Sequence, residues 1–248
     1  MLQKILPILL LCFVCAIQAK TSLSSSISKI KPSVVAIGVH DPLGSPRVRL
    51  TGTGFVVADG TKIVTNYHVI ARVLNEARNE RYVVLSGTGS EVQMHSIQQT
   101  KTAPAHDLAV LSIATALPAV TLANEKLVAE GTEIAFTGFP ITNVLGLYPA
   151  THRGIISAIT PIAAPADNSS QLQAAALKRL KQPYMVYQLD ATAYPGNSGS
   201  PLYDAGTAQV IGIINKVFVK STREAVLSDP SAISYAIPVQ FLLPLLAD

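Results

Sequence analysis

The residue best suited to covalent chemistry is Ser198, which lies between two glycines in the segment Tyr194-Pro-Gly-Asn-Ser-Gly-Ser-Pro-Leu-Tyr-Asp204. A serine hydroxyl is almost wholly protonated at neutral pH, so a nucleophilic serine needs a neighbouring base. The base in turn needs a third group that holds its tautomer and stabilises its charged form. A segment rich in Gly, Ser and Asn is also typical of an ordinary tight turn, so this segment alone leaves both interpretations open.

Two other positions offer the base and the orienting group. His68 follows an apolar stretch at a predicted strand-to-helix junction, and Asp107 directly precedes the apolar stretch Leu108–Ile113. Taken singly, His68 fits a solvated surface residue and Asp107 fits a strand cap, although a carboxylate at the mouth of a buried strand is costly without a partner. Together the order His68, Asp107, Ser198 matches one of the known orders of a Ser-His-Asp triad. The three residues therefore predict acyl transfer through a covalent intermediate.

The other common serine chemistry, the α/β-hydrolase elbow, does not fit. That motif runs Gly-x-Ser-x-Gly, whereas this chain has Ser200 at the last position. Its histidine follows the nucleophile, and no histidine follows Ser198 in this sequence.

Short runs rich in Val and Ile, broken by turn residues, surround these positions and predict an all-β fold. Thr53–Ala58 and Lys62–Thr65 flank Asp59-Gly60, which indicates a hairpin. The stretch 114–130, which contains Pro118, is expected to join two halves of similar size. Helices are predicted only in three places: Val69–Ala77, Ser170–Lys181 and Val239–Leu246.

The N-terminal residues predict export. One lysine, an apolar run over residues 5–17 and a small residue at Ala19 are typical of a signal peptide spanning residues 1–19, with an uncleaved anchor as the alternative. Both cysteines, Cys12 and Cys15, lie inside this run, so the exported chain would have no disulfide and no thiolate chemistry. The histidines are not at metal-ligand spacings. No metal and no other cofactor is expected.

Composition limits the partners. The chain of 248 residues has 19 Lys plus Arg against 15 Asp plus Glu, without a run of like charges. This excess is too small and too scattered to indicate a nucleic-acid partner or an anionic membrane surface.

Seven segments in register resemble the chymotrypsin-like serine proteases, and more closely the bacterial HtrA (Deg) branch. The segments are Gly52-Thr-Gly-Phe-Val-Val57, Ile63-Val-Thr-Asn-Tyr-His-Val69, His106-Asp-Leu-Ala-Val-Leu111, Gly138-Phe-Pro140, Gly154-Ile-Ile-Ser157, Pro195-Gly-Asn-Ser-Gly199 and Val210-Ile-Gly-Ile213. The nucleophile segment through Pro201 is also similar to the V8-like glutamyl endopeptidases. The resemblance covers about residues 28 to 240.

The resemblance implies two antiparallel β-barrels with the active site in the cleft between them. After the signal peptide and a flexible leader over residues 20–27, residues 28–118 would form the N-terminal barrel, with His68 and Asp107. Residues 119–248 would form the C-terminal barrel, with Ser198. The role of nucleophile falls to Ser198, that of general base to His68 and that of orienting carboxylate to Asp107. The backbone N–H groups of Gly196 and Ser198 would form the oxyanion hole.

The same resemblance implies an uncharged primary specificity (S1) pocket, because none of its expected lining residues carries a charge. A charged side chain entering it would lose hydration without gaining a counter-charge. A preference for small or aliphatic residues before the scissile bond follows. The expected lining residues are Thr192, Ile214 and Val217.

The chain also departs from the HtrA pattern. HtrA proteases usually carry a second Gly where Ser200 stands, and PDZ domains after the protease domain, which are not expected in this chain. The expected activity is that of an exported, periplasmic or secreted, endopeptidase acting on polypeptides such as unfolded proteins, either as a monomer or as a homotrimer, without stable membrane insertion after signal cleavage. A catalytically dormant peptide-binding or chaperone-like protein and an esterase on the same scaffold are the alternatives.

Overall fold

A computed structural model describes residues 22–124, 126–140, 146–162, 183–215 and 234–247. These residues form thirteen β-strands and two short α-helices. The predicted signal peptide, the predicted helix Ser170–Lys181 and Val217 lie outside the described residues.

The first sheet is built from seven antiparallel strands in the order β5-β4-β1-β2-β3-β7-β6. Their bounds are β1 Val34–His40, β2 Val48–Val57, β3 Lys62–Asn66, β4 Arg81–Ser86, β5 Gln93–Ser96, β6 Gln99–Ala103 and β7 Leu108–Ser112. Val57 pairs with Lys62 across the predicted hairpin, which is thereby confirmed. The sheet is curled as half a barrel, and its outer strands β5 and β6 are not paired with each other.

The second sheet closes into a six-stranded barrel in the order β10-β13-β12-β11-β8-β9. Its strands are β8 Glu133–Gly138, β9 Ala150–Pro161, β10 Met185–Asp190, β11 Pro201–Asp204, β12 Val210–Ile214 and β13 Ser234–Pro238. The all-β prediction is confirmed. Of the two predicted barrels, the second closes through hydrogen bonds and the first remains an open curled sheet.

The apolar core holds the two sheets together. One cluster joins Phe55 and Leu108 of the first sheet to Tyr203 and Ile237 of the second, and all four are fully buried. Two further clusters fill the interiors of the individual sheets. Burying a side chain of this size contributes about 1.5–3 kcal/mol, so the shared cluster fixes one sheet against the other, which the site between them requires.

The leader departs from its prediction, because residues 22–27 are not a flexible segment. Helix α1 spans Leu23–Ile30, and its N-cap Ser22 accepts a hydrogen bond from the backbone N–H of Ser25. The buried Ser26 hydroxyl donates to the carbonyl of Ala205 at 2.8 Å. This tie to the C-terminal barrel and the burial of Ile30 order the segment.

The prediction of a helix over Val69–Ala77 is also wrong. This region forms two 3-10 turns, Tyr67–Ile70 and Glu76–Arg78, with irregular chain between them. The physical reason is a tertiary contact: the backbone N–H of Asn75 donates to the Glu80 carboxylate at 2.8 Å rather than to a helical carbonyl. At the C-terminus, a 3-10 turn Val239–Phe241 precedes helix α2, Leu243–Leu246.

Candidate active site

His68 and Asp107 meet at the edge of the first sheet. The Nδ1 atom of His68 lies 2.7 Å from Oδ2 of Asp107, and the backbone N–H of His68 donates to Oδ1 at 2.9 Å. Because a carboxylate accepts hydrogen bonds, the ring nitrogen Nδ1 carries the proton and Nε2 is left as the basic atom. The Asp107 side chain is 7% exposed and that of His68 is 32% exposed, so the pair has a buried end and an end that faces solvent.

The backbone of Asp107 is held in place from several sides. The residue ends the 3-10 turn Pro104–His106 in the left-handed region, with φ of 54°. Its carbonyl accepts hydrogen bonds from the backbone N–H of Tyr67 at 3.0 Å and from the Asn66 amide at 3.1 Å. These bonds follow from the pairing of Asn66 with Leu108, where β3 ends beside the start of β7. The pairing brings two residues 39 positions apart in the chain into contact.

Ser198 lies in a tight turn between β10 and β11. The backbone N–H of Asn197 donates to Tyr194 O, and that of Ser200 donates to Asn197 O, both at 3.0 Å. Gly196 and Gly199 have φ of 100° and 87°, conformations that a residue with a side chain rarely adopts. A Cβ on Gly199 would also overlap Thr53 O. The glycines on both sides of Ser198 are therefore required by the backbone path.

Thr53 on β2 ties this turn to the first sheet. Its backbone N–H donates to Ser198 O at 2.9 Å. Its buried hydroxyl donates to Gly196 O at 2.7 Å and accepts from the backbone N–H of Phe139 at 3.0 Å. This role of Thr53 was not predicted, although the residue lies within one of the family-like segments. The sequence feature that could have indicated this role is the Thr53 hydroxyl between two glycines, Gly52 and Gly54, beside a predicted strand.

The segments of His68 and Ser198 are close in space. A Cβ placed on Gly52 would lie 2.7 Å from Val69 Cγ2 and 3.0 Å from Ser198 O, so this glycine separates the two segments by only a few ångströms. Among the described residues no hydrogen bond joins Ser198 Oγ to His68 Nε2. Such bonds are often long before a substrate binds and tighten in the reacting complex.

The N–H groups predicted to form the oxyanion hole belong to the turn that contains Ser198. Within the part of the chain that the structure describes, the backbone N–H groups of Gly196 and Ser198 donate to no protein oxygen. Both residues are partly exposed. Two donors in one turn, next to the candidate nucleophile, are the arrangement that an oxyanion requires.

The predicted S1 residues occupy different environments. Thr192 is partly exposed, six residues before Ser198. Ile214 is fully buried in the core of the second barrel, so its side chain belongs to the core and presents no surface to a substrate. Its carbonyl accepts the backbone N–H of Gly199 at 2.9 Å and thereby supports the nucleophile turn.

Two buried polar side chains next to Ser198 were also not predicted from the sequence. Asn197 and Ser200 are fully buried, and neither the Asn197 amide nor the Ser200 hydroxyl has a hydrogen-bond partner among the described residues. A Cβ on Gly138 would overlap Ser200 Oγ, so the glycine gives these polar side chains their room.

Comparison with known proteins identifies the class. Residues 52–213 match the family model of the trypsin-like peptidase domain, and the chain belongs to this family. The match includes His68, Asp107 and Ser198.

The relatives and solved structures point to the HtrA branch. A DegP-like periplasmic serine endoprotease of Halomonas elongata is 32% identical over 193 residues, which are 77% of this chain and 33% of that protein. The crystal structure of Deg5 is 25% identical with a TM-score of 0.62 and covers 89% of this chain and 90% of that one. The HtrA-type protease AlgW with a tripeptide is 26% identical with a TM-score of 0.63, over 91% of this chain and 62% of that one.

The predicted family is therefore confirmed: the chain belongs to the trypsin-like peptidase family and is similar to HtrA-type proteases. It spans between a quarter and two fifths of the length of three curated relatives that it matches. No helix in the described ranges is long and apolar enough to span a membrane.

Proposed function

We propose that the chain is a serine endopeptidase that uses Ser198 as nucleophile, His68 as general base and then acid, and Asp107 as the orienting carboxylate. The observation that carries the proposal is the double contact of Asp107 with the ring and the backbone of His68. It fixes the tautomer in which Nε2 can take a proton. A lone surface histidine would not need such a contact.

The reaction would run in two halves. Ser198 Oγ attacks the carbonyl carbon of the peptide bond while its proton passes to His68 Nε2, which then donates that proton to the leaving amine. Water repeats the sequence on the acyl-enzyme and releases the acid. The N–H groups of Gly196 and Ser198 would bind the oxyanion, and such a donor is worth about 2.7–4 kcal/mol in the transition state.

The substrates that we propose are polypeptides, unfolded proteins among them, cleaved after small or aliphatic residues. The uncharged, partly exposed Thr192 supports this preference on the second barrel. The relatives named as periplasmic endoproteases support export to the periplasm, in line with the signal pattern of residues 1–19.

The test compares the chain without residues 1–19 with its Ser198→Ala variant on an unfolded protein and on the same protein folded. In a related triad enzyme, removal of the nucleophile costs about 10⁶ in turnover, so cleavage should disappear in the variant. Equal cleavage by both proteins would end the proposal. A peptide library read by mass spectrometry gives the residue before each cut, and a majority of cuts after Glu, Lys or Arg would contradict the proposed preference.

A second candidate function is that of a dormant, peptide-binding protein on the same fold. The missing hydrogen bond between Ser198 and His68 among the described residues is the observation in its favour. A fluorophosphonate probe separates the two candidates, because it labels Ser198 only where the base and the oxyanion hole are assembled. Labelling in the wild type that disappears in His68→Ala supports the enzyme, whereas no labelling with retained peptide binding supports the dormant protein.

A further inference from the structure

A pocket of about 510 Å³ opens on the first sheet, away from Thr192 and the second barrel. It is lined by three arginines, Arg49, Arg72 and Arg78, together with two carboxylates and the exposed Val73. Five of the eight arginines of the chain lie between residues 47 and 81. Nothing in the catalytic proposal uses this concentration of positive charge.

The two carboxylates lie below the arginines and are fully engaged. Glu80 is 4% exposed, and its two oxygens accept from Arg49 at 2.7 Å and from Arg72 at 2.6 Å. Asp41 accepts from Arg78 at 2.8 Å and from the backbone N–H of Leu43 at 3.0 Å. Two hydrogen bonds hold the pKa of Glu80 below its ordinary value. The larger effect comes from the backbone N–H of Asn75 and the next from the Arg72 side chain. The acids therefore stay ionised and anchor the arginines.

The guanidinium groups form the outer surface of the pocket. The side chains of Arg49, Arg72 and Arg78 are 54%, 46% and 43% exposed. A guanidinium has five N–H donors, and among the described residues Arg49 and Arg72 each use one of them on Glu80. With three positive charges over two buried negative ones, the remaining donors favour an anion. Their planar geometry suits a carboxylate bound through two parallel hydrogen bonds.

The pocket and the triad histidine both belong to the first sheet and the loops that follow its strands. Arg72 is four residues after His68, and Arg49 is three residues before Gly52, which lies between the His68 and Ser198 segments. Three residues of extended strand span roughly 10 Å. A substrate in extended conformation advances by about 3.3 Å per residue, so two to four residues reach from the scissile bond to the arginines.

We infer that the arginine pocket is a substrate subsite that binds the side-chain carboxylate of an Asp or Glu two to four residues after the scissile bond. The inference rests on the proposed function, because it takes the residue before the bond to lie at Thr192 on the opposite barrel. The exposed Val73 gives the pocket an apolar rim for the neighbouring substrate residue.

The test uses pairs of fluorogenic peptides that differ only in Glu or Gln at the second, third or fourth position after the bond. The wild type should cleave the best Glu peptide about tenfold faster in kcat/KM than its Gln partner, as expected for a charge-assisted bidentate contact. Arg72→Gln should bring this ratio close to one. Arg153→Gln, which removes one exposed charge on β9, is the matched control and should leave the ratio unchanged.

Two results would overturn the inference: a ratio near one in the wild type, or a ratio that persists in Arg72→Gln. If the Glu and Gln peptides are cleaved equally but amidation of the peptide C-terminus lowers kcat/KM for both, the pocket binds terminal carboxylates instead and the side-chain assignment is wrong. If Arg72→Gln does not fold, Arg72→Lys takes its place in the test, because lysine keeps the positive charge beside Glu80.

Failure of the proposed function has a different signature, since no peptide would then be cleaved at all. Fluorescence anisotropy with labelled Glu and Gln peptides on Ser198→Ala then still measures the pocket. Tighter binding of the Glu peptide, lost in the Ser198→Ala, Arg72→Gln double variant, supports the subsite independently of turnover, and equal binding refutes it.

Discussion

The replacement Thr53→Val tests whether the first sheet sets the geometry of the nucleophile turn. Valine keeps the shape of threonine but removes the hydroxyl that donates to Gly196 O at 2.7 Å and accepts from Phe139 N–H at 3.0 Å. Thr53 and Phe139 are buried, so the Phe139 N–H loses its bond without gaining water, whereas the partly exposed Gly196 can be hydrated. An unpaired buried polar group costs about 1–3 kcal/mol, and the free energy of unfolding should fall by about that amount.

Activity should fall as well, because the released Gly196 carbonyl belongs to a residue whose N–H we propose as an oxyanion donor. Loss of one such donor costs about 10²–10³ in kcat, which sets the upper limit of the effect. Since Thr53 does not contact the substrate, KM should change little. Thr53→Ser keeps the hydroxyl and should retain most of kcat.

The measurements are peptide hydrolysis for kcat and KM, fluorophosphonate labelling of Ser198, and urea unfolding of both variants. The probe reports on the assembled site even if turnover is slow. If Thr53→Val is folded, less stable and still within threefold of the kcat and labelling rate of Thr53→Ser, the hydroxyl is only a structural contact and the reasoning about Gly196 is refuted.

Three further replacements test other parts of the site. Asp107→Asn should lower kcat/KM by about 10⁴ because it reverses the tautomer of His68; a loss below tenfold would contradict the proposed role of Asp107. Gly138→Ala places a Cβ on Ser200 Oγ and should lower the unfolding free energy by about 1–3 kcal/mol, and Ser200→Gly in the same chain should restore part of it. No recovery in urea unfolding would show that another contact dominates. Burial holds the pKa of His152 below its ordinary value of about 6.5, so the unfolded chain takes up a proton at this histidine first and stability is lost as the pH falls below about 6.5. His152→Phe should lessen that loss in unfolding measured between about pH 7.5 and 5.5, and an equal loss in both proteins would contradict it.

The contact between His68 and Asp107 could be predicted from the sequence. Each residue lies at the end of an apolar strand, and a carboxylate can orient a histidine that acts as a base. The segment after His68 could not be predicted, since its helical pattern is overridden by the bond from Asn75 to Glu80, which closes only in the folded chain. Ile214 shows the same limit. The family resemblance placed it in the S1 pocket, but its side chain is buried in the core of the second barrel.

By itself the sequence determined the residue types that can carry out acyl transfer, the glycines that the nucleophile turn needs and the all-β class, because these depend on side-chain chemistry and on local backbone preferences. Only the tertiary structure decided that Thr53 holds the turn and that Arg49, Arg72 and Arg78 surround one pocket. These contacts join strands and loops that are far apart in the chain. Their distances follow from sheet register and core packing, which no local pattern encodes.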